Sequence, residues 1–425
     1  MFGLIDGNNF YVSCERVFQP RLLGRPVGVM SNNDGCVVAR SEELKALGVA
    51  MGTPAFELRP RWRRGELELL SSNYELYADM SRRVRAVLEE LCAGVEPYSI
   101  DEMFIRCEGF TAARLHAHAR DLHRRVHRYT GIPVSVGIAP TRTLAKLANR
   151  AAKALPGYDG VCVLSPGSHE TQAILRQTPM AAIWGLGQRL VERLALLGIH
   201  TARDLAEADP MRIRRHISVV LERTALELRG VPCIEMHDLD AARQRIMTSR
   251  SFGRPTGELG ELREAIRQHA QRGAEKLRTQ HGLARAVHVF LKTDPHRPDL
   301  AQYSPAAIVE LARPSDDSRE IIQAAQQALT AIHRPNHRFM KAGVMLLDLV
   351  ETRRRQLSLL DAPQAQAERE RSERLMATLD EINRRMGRGT VTLGRPRPGA
   401  AWQLRCAHLS NRWTTRWDEL PVARC

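Results

Sequence analysis

Short apolar runs separated by turn residues fill the first 165 residues of the chain. They predict strands at 2–6, 27–30, 37–39, 104–107 and 134–138. Apolar residues at helical spacing predict helices over 80–91 and 115–129, and a shorter helix over 42–47 that ends at Gly48. Strands and helices in this order predict an α+β sheet with helices on one face.

The pattern changes twice further along the chain. Residues 166–232 are helical with short loops, one of which contains Trp184-Gly185-Leu186-Gly187. Residues 241–350 return to strands and read as β-α-β-β-α-β, which predicts a small sheet backed by two helices. After a linker-like stretch, a short helix is expected over 368–386, followed by a tail rich in glycine, arginine and proline.

The 425 residues carry a net charge of +15, which favours a polyanionic partner such as nucleic acid. The charge is uneven: residues 1–240 carry only +3, whereas 241–350 and 351–425 carry +6 each. A solubility surface and a genomic preference for arginine are the plainer explanations. No apolar run reaches the ~20 residues of a membrane span. An acid at position 6 is not typical of a signal peptide, and scattered cysteines fit a reducing compartment.

Three acids stand at the ends of predicted strands. Asp6 ends the first strand, and Asp101 and Glu102 precede the strand at 104–107. Buried carboxylates need compensation, and hard oxygen ligands favour Mg²⁺, with Mn²⁺ as a substitute. Neighbouring strand residues point to opposite faces, so Asp101 and Glu102 can share a site only if the chain turns there or the longer Glu102 reaches around. A solvated hairpin tip is the competing interpretation.

A turn-forming segment, Gly7-Asn8-Asn9-Phe10-Tyr11, follows Asp6 and could aim backbone N–H groups at a phosphate. The first 240 residues contain only three lysines, Lys45, Lys146 and Lys153. Lysine is a compact charge suited to a triphosphate, and Lys146 and Lys153 lie near one helical face because they are seven residues apart. Each lysine taken alone would be a solvated surface charge.

Asp6 to Cys14 and Tyr98-Ser99-Ile100-Asp101-Glu102 together resemble the two catalytic motifs of Y-family translesion DNA polymerases, and most closely those of the UmuC-type subunits of bacterial DNA polymerase V. The resemblance is collinear over the whole chain. It implies an α+β multidomain protein with a palm, small fingers, a helical thumb, a ferredoxin-like little finger and a basic C-terminal module. The implied domains are palm 1–18 and 78–165, fingers 19–77, thumb 166–235, little finger 241–350, clamp-binding linker 351–367 and C-terminal module 368–425.

The resemblance also implies roles for particular residues. Asp6, Asp101, Glu102 and the Gly7 carbonyl would bind two Mg²⁺, with Asp101 and Glu102 as the catalytic pair. Phe10, Tyr11, Lys45 and Lys153 would bind the nucleotide, with Lys146 as a weaker candidate. Tyr11 matches the steric gate that excludes a ribose 2′-OH. Glu42 and Lys45 stand where archaeal-type members have tyrosine and arginine.

Further motifs extend the resemblance to DNA and protein partners. Gly185 and Gly187 match the helix-hairpin-helix turn of the thumb, where backbone N–H groups can approach a DNA phosphate. Arg250 lies on the strand expected to face DNA in the little finger. Gln356, Leu357, Leu359 and Leu360 resemble the sliding-clamp peptide, and a short amphipathic strand end is the alternative.

The sequence thus predicts an error-prone, template-directed DNA polymerase of SOS-type damage tolerance that binds primer–template DNA and dNTP. A sliding clamp, a UmuD′-like dimer and a RecA filament are the implied partners, and the bacterial nucleoid in the cytoplasm is the expected location, with no membrane association. Two alternatives stay open: a catalytically inactive polymerase-like scaffold of a mutasome, and a plain basic DNA-binding protein. The three acids argue against the first alternative, and the second leaves the acids and Tyr11 unexplained.

Overall fold

The structure is a computed structural model that describes residues 1–234, 244–352, 363–387, 389–394 and 405–420. The chain divides into two compact units, Met1–Ala241 with Ala407–Cys425, and Ala242–Cys406. In the described part of the chain, no helix combines the length and the apolar composition needed to cross a membrane.

The first unit contains two sheets, and the predicted apolar runs form strands in both of them. The larger sheet contains β1 (Phe2–Gly7), β5 (Val95–Pro97), β6 (Glu102–Arg106), β7 (Val134–Ala139) and β8 (Val161–Val163). Its order is β5-β6-β1-β7-β8, and all neighbours are antiparallel except β7 and β8. The smaller sheet contains β2 (Val27–Met30), β3 (Val37–Arg40) and β4 (Glu68–Ser71), with β2 in the middle.

Helices cover both faces of the larger sheet, so the prediction of helices on one face is wrong. The helices of this region are α1 (Phe10–Phe18), α2 (Glu42–Ala46), α3 (Ala55–Arg63), α4 (Tyr74–Leu91), α5 (Ala112–Thr130) and α6 (Arg142–Ala154). Of these, α2 and α3 pack in a separate core with the smaller sheet. Ile5 and Met103 belong to a core with residues of α4 and α5, whereas Leu4 and Phe104 belong to a core with α6. Successive strand residues alternate between faces, and here both faces are apolar.

Helix α6 lies unusually close to β7, at a glycine. A Cβ atom on Gly137 would lie 2.1 Å from the backbone nitrogen of Asn149, so only glycine fits there. The Asn149 side chain donates to the backbone oxygens of Leu4 at 3.1 Å and Ser135 at 2.8 Å. These contacts fix α6 across the centre of the sheet and carry its two lysines towards the end of β1.

The helical region predicted after residue 166 is confirmed. It contains α7 (His169–Gln177), α8 (Gln188–Ala195), α9 (Ala202–Glu207), α10 (Pro210–His216) and α11 (Val219–Leu228). Glu227 on α11 ties this region to α6, because its carboxylate accepts from the Thr143 amide and hydroxyl at 2.9 Å.

The second unit has the predicted β-α-β-β-α-β order. It contains β9 (Ile246–Thr256), α12 (Leu259–Thr279), β10 (Gly282–Thr293), β11 (Ala306–Ser315), α13 (Ser318–Ile332), β12 (Phe339–Leu347) and a short β13 (Val350–Glu351). The antiparallel sheet has the order β11-β10-β12-β9. Both helices pack on one face, and the other face exposes side chains such as Met247 and Ile308.

The region expected to form one C-terminal module is divided between the two units. Its helix α14 (Pro363–Met386) begins five residues before the predicted start at 368, inside the stretch expected to be a linker. It belongs to the second unit, where Asp380 accepts from the Arg278 guanidinium at 2.6 Å. Residues from Ala407 onward belong to the first unit. Sequence pattern alone could not reveal this division because it depends on contacts more than 300 residues apart in the chain.

Candidate active site

Two carboxylates face each other across the pair formed by β1 and β6. Asp6 and Glu102 are direct partners in the antiparallel register. Opposed residues on neighbouring strands lie on the same face, with Cβ atoms roughly 4.5–5.5 Å apart. The two acids therefore come together at one point on the sheet, although 96 positions separate them in the chain.

The chain turns just before Glu102, as sharing of a site by Asp101 and Glu102 requires. The Tyr98 and Ser99 amides both donate to the Glu102 backbone oxygen, at 3.0 and 3.1 Å. The Gly7 amide donates to the Asp101 oxygen at 2.8 Å, which holds this turn against the end of β1. The Ser99 hydroxyl donates to the Asp101 carboxylate at 2.6 Å. Asp101 thus lies in a turn outside β6, where strand alternation does not apply.

Burial of Asp6 disfavours its charged form, and a neighbouring lysine opposes that effect. Burial raises the pKa of Asp6 to about 6, and the charges of Glu102 and Asp101 add to that effect. The Lys153 ammonium lies 2.5 Å from the Asp6 carboxylate and opposes the shift. With Lys153 beside it, the Asp6 carboxylate has a pKa of about 6, below neutral pH, and is ionised there.

Lys146 pairs with Glu102 and itself lies among aromatic rings. Its ammonium donates to both Glu102 carboxylate oxygens at 3.0 Å, and it lies 4.3 Å from the Tyr98 ring centroid and 5.2 Å from that of Trp184. The Trp184 indole N–H donates to the Tyr98 hydroxyl at 2.9 Å. Cation–π contacts of this kind stabilise a partly desolvated ammonium. Lys146 was only a weak candidate from the sequence, and no sequence signal connected it with Tyr98 or Trp184, because these residues come from other elements.

The oxygen donors at this site suit a hard divalent cation in their chemistry. Like charges crowd Asp6, and each of the two opposed carboxylates is compensated by a lysine. Among the residues that the structure describes, no three His, Cys, Asp or Glu side chains are arranged as a metal-holding group. Asp6 and Glu102 are instead directed at Lys153 and Lys146. The chemistry of the donor set therefore fits a divalent cation. In this structure each of the two carboxylates forms an ion pair with a lysine.

Tyr11, the second residue of α1, lies in an aromatic cluster near this carboxylate site. Its ring stacks on Tyr77, with centroids 4.5 Å apart and planes 14° apart, and meets the edge of Tyr74 at 6.0 Å. Burial raises the pKa of the half-buried Tyr11 hydroxyl to about 12, and the charge of Asp101 contributes. The hydroxyl stays neutral, and the ring has a fixed plane next to the carboxylates.

A left-handed residue links this cluster to β1. Asn9 has φ 47° and forms the N-cap of α1, which is a conformation that asparagine tolerates well. Its side chain donates to Glu42 at 3.0 Å, and Glu42 also accepts from Lys45 at 2.7 Å. Lys45 therefore lies on α2 in an exposed ion pair with Glu42, which connects it to the turn after Asp6. Phe10 is buried in the core and supports the turn from below.

Comparison with known proteins decides the family. The family models that match are "impB/mucB/samB family" over residues 5–150 and "impB/mucB/samB family C-terminal domain" over 243–359. The chain belongs to the impB/mucB/samB family. A third model, a domain of unknown function (DUF4113), matches residues 373–423.

Relatives of this impB/mucB/samB protein match it from end to end. It is 46% identical to protein UmuC of Salmonella typhimurium strain LT2, over 99% of both chains, and 44% identical to protein ImpB of Salmonella typhimurium, over 100% of both chains. Its fold resembles that of "Y-family DNA polymerase chimera Dbh-Dpo4(243-245)-Dbh", with a TM-score of 0.61 and 20% identity over 83% of this chain and 100% of that one. The recognition of a UmuC-type sequence with the Y-family fold is thus confirmed.

The glycine turn of this impB/mucB/samB chain precedes helix α8. Gly185 has φ +82°, which favours glycine, and Gly187 is the N-cap residue of α8. No heavy atom would lie within 4 Å of a Cβ added at either glycine, so the turn is open to an approaching ligand. Trp184, the residue before the turn, connects it to the Lys146 site.

Arg250 lies on β9, the strand expected to face DNA, with its side chain on the helix-bearing side of the sheet. It is paired with Ala342, a fully buried core residue, so its side chain starts on the helix-bearing side at the exposed edge strand β9. Its neighbours Ser249 and Ser251 are on the open face, paired with Gly343 and Lys341. The period-two series Ile246, Thr248, Arg250 already contained this signal. The clamp-peptide residues Gln356, Leu357, Leu359 and Leu360 lie outside the described residues.

Proposed function

We propose that this chain is an error-prone translesion DNA polymerase of SOS-type damage tolerance that works by two-metal nucleotidyl transfer. Membership in the family, together with the Y-family fold, makes it a DNA-directed DNA polymerase with a role in tolerating DNA damage. The relative named DNA polymerase IV 1 of Bacillus subtilis, 27% identical over 92% of this chain, supports the same activity. The observation that carries the proposal is the convergence of Asp6, Asp101 and Glu102 at one end of β1.

In the proposed reaction, the primer 3′-oxygen attacks the α-phosphorus of a dNTP. The bond from the α-phosphorus to the bridging oxygen of the β-phosphate breaks, pyrophosphate leaves, and the 3′-hydroxyl gives up its proton to water. Asp6, Asp101 and Glu102, with the Gly7 carbonyl, would hold two Mg²⁺, or Mn²⁺ in their place. Divalent ions supply charge stabilisation for the attacking and leaving oxygens in phosphoryl transfer. An incoming triphosphate would draw Lys153 and Lys146 away from the carboxylates, because its negative charge competes for them.

Mg²⁺-dependent primer extension across an abasic template by the full chain, with its accessory factors supplied, tests the proposal. Incorporation opposite the lesion is expected. A chain that binds the primer–template but extends nothing would instead support the alternative of an inactive scaffold.

Lys153 is the lysine proposed to bind the triphosphate most directly. Lys153→Ala should raise the KM for dNTP roughly 10- to 100-fold, since a charge-assisted contact is lost. Lys153 also lowers the pKa of Asp6, which burial has raised to about 6. Loss of Lys153 raises that pKa further, and a carboxylate is lost by protonation as pH falls through its pKa. The acid limb of the pH–rate profile should therefore move to higher pH.

Steady-state kinetics over a pH series checks this result. Arg150→Ala is the matched control, because Arg150 is an exposed cation on the same helix. An unchanged KM and an unchanged acid limb in Lys153→Ala would contradict the role given to Lys153.

The open face of the second unit is the proposed duplex-binding surface. Lys292 on β10 and Lys341 on β12 are direct cross-strand partners. Like charges placed opposite each other destabilise a sheet, and an anion between them removes the repulsion. Ser251 is the next partner of Lys341, on β9, and adds a hydroxyl to the same row. A phosphate backbone is the polyanion that the +6 charge of residues 241–350 favours.

The double variant Lys292→Gln/Lys341→Gln should weaken DNA binding uniformly across sequences. The slope of log K against log salt concentration should become shallower by about two, because each phosphate contact contributes roughly 0.9. Fluorescence anisotropy at several salt concentrations measures the slope. Arg263→Gln/Arg371→Gln removes the same charge from exposed positions on the helices of this unit and should leave the slope nearly unchanged. Equal slopes in both double variants would refute the proposal that this surface binds DNA.

The remaining partners follow from the family resemblance. We propose a sliding clamp bound through Gln356 to Leu360, a UmuD′-like dimer and a RecA filament, in the bacterial nucleoid. Gly185 and Gly187 are proposed to bind a DNA phosphate through backbone N–H groups, and Arg250 to bind the backbone from the edge of the sheet.

A further inference from the structure

The last described segment of the chain, residues 407–420, packs behind the aromatic cluster of Tyr11. It lies within residues 373–423, which match a domain of unknown function, but it belongs to the first unit. The His408 oxygen accepts from the Ser71 amide at 2.9 Å, and the His408 ring meets the edge of Trp62 with centroids 4.5 Å apart. The segment is thus hydrogen-bonded to the last residue of β4.

A buried carboxylate connects this segment to α1. Glu15 is fully buried, and its pKa is raised by that burial. Its carboxylate accepts from three uncharged groups: the Tyr77 hydroxyl at 2.7 Å, the Ser410 hydroxyl at 2.9 Å and the Gln19 amide at 3.1 Å. A buried carboxylate depends on such donors because desolvation is otherwise uncompensated. One of the three donors comes from the C-terminal segment, 395 positions away in the chain.

Three further contacts fix Ser410 and its neighbours in place. The buried Asn73 side chain, which caps α4, donates to the Ser410 hydroxyl at 2.9 Å and to the Asn411 oxygen at 3.1 Å. Trp413 stacks on Phe18 at the end of α1, with centroids 5.2 Å and planes 13° apart. The segment therefore contacts α1 at two points and the start of α4 at another.

These contacts lead directly to the ring proposed to select the sugar. Ser410 donates to Glu15, Glu15 accepts from Tyr77, and Tyr77 stacks on Tyr11 at 4.5 Å. We propose that residues 407–420 are a brace that fixes the plane of Tyr11, with Ser410 as a positioning residue. The inference rests on the proposed role of Tyr11 as the sugar gate. It assigns to part of the domain of unknown function the task of maintaining discrimination against ribonucleotides.

Ser410→Ala tests the brace in the full chain. The ratio of kcat/KM for rNTP to that for dNTP should rise roughly 3- to 10-fold, since neighbours in one hydrogen-bond network are coupled. The kcat/KM for dNTP should change much less. Thr415→Ala removes an exposed hydroxyl from the same segment and should leave the ratio at the native value. If Ser410→Ala does not fold, Trp413→Leu removes the other contact with α1 and should raise the ratio in the same way.

A double variant separates failure of the brace from failure of the sugar gate. In a Tyr11→Ala background, Ser410→Ala should cause no further rise, because the brace acts through Tyr11. A raised ratio in Tyr11→Ala with a native ratio in both Ser410→Ala and Trp413→Leu would overturn the brace and leave the gate intact. Equal rises with and without Tyr11 would also overturn it. A native ratio in Tyr11→Ala would overturn the gate itself, and the brace with it.

Discussion

Asp101→Asn should abolish primer extension, with a fall in the single-turnover rate of at least about a thousandfold. Metal-assisted charge stabilisation in phosphoryl transfer is worth several kcal/mol, and about 1.4 kcal/mol corresponds to a tenfold change in rate. Asparagine keeps the size of the side chain and its bond to Ser99, but it removes the charge. The turn that places Asp101 beside Asp6 should survive, since backbone bonds of Gly7, Tyr98 and Ser99 hold it.

Rapid-quench extension with Mg²⁺ on an abasic template, with accessory factors supplied, measures this effect. Asp159→Asn is the matched control, because Asp159 is exposed and has φ 49°, a left-handed conformation that asparagine accepts. It should retain native activity, and circular dichroism should show both variants folded. Native activity in Asp101→Asn would refute the carboxylate assignment. If the native chain is as inactive as the variant, the assignment of polymerase activity is refuted.

Tyr11→Ala should raise the rNTP to dNTP ratio of kcat/KM by roughly 10- to 200-fold, the range that a close packing contact with one substrate group commonly supplies. The Tyr11 ring cannot easily move away from a 2′-hydroxyl, because Tyr77 stacks on it and Tyr74 meets it edge-on. Alanine removes the obstacle and leaves the carboxylates in place. Activity with dNTP should therefore fall far less than discrimination does.

Tyr11→Phe is the informative partner variant. It keeps the ring and its stacking but removes the hydroxyl, so an excluded-volume gate should hold the ratio near the native value. Single-nucleotide incorporation with matched rNTP and dNTP gives both ratios. If Tyr11→Ala leaves the ratio unchanged, Tyr11 does not exclude the 2′-hydroxyl. If Tyr11→Phe relaxes it as much as alanine does, the hydroxyl and not the ring discriminates.

The local sequence pattern was sufficient for most elements of the fold. Apolar runs and helical spacing predicted β1, β2, β3, β7 and the order of strands and helices in the second unit. This was possible because the residues that face the core in each element follow a pattern within a few consecutive positions. The short strands β5 and β8, with three residues each, carry no such signal. The sequence pattern also failed to predict that helices cover both faces of the larger sheet. That depends on which distant helix packs on Leu4 and which on Ile5.

The sequence by itself determined which residues have the chemistry: three acids at strand ends, an aromatic residue after the turn and three isolated lysines. Only the tertiary structure decided how they meet. The register of β1 and β6 opposes Asp6 and Glu102, Trp184 and Tyr98 enclose Lys146, and Ser410 reaches Glu15. The physical reason is that local pattern follows from burial of each element's own side chains, whereas these meetings depend on contacts between segments far apart in the chain.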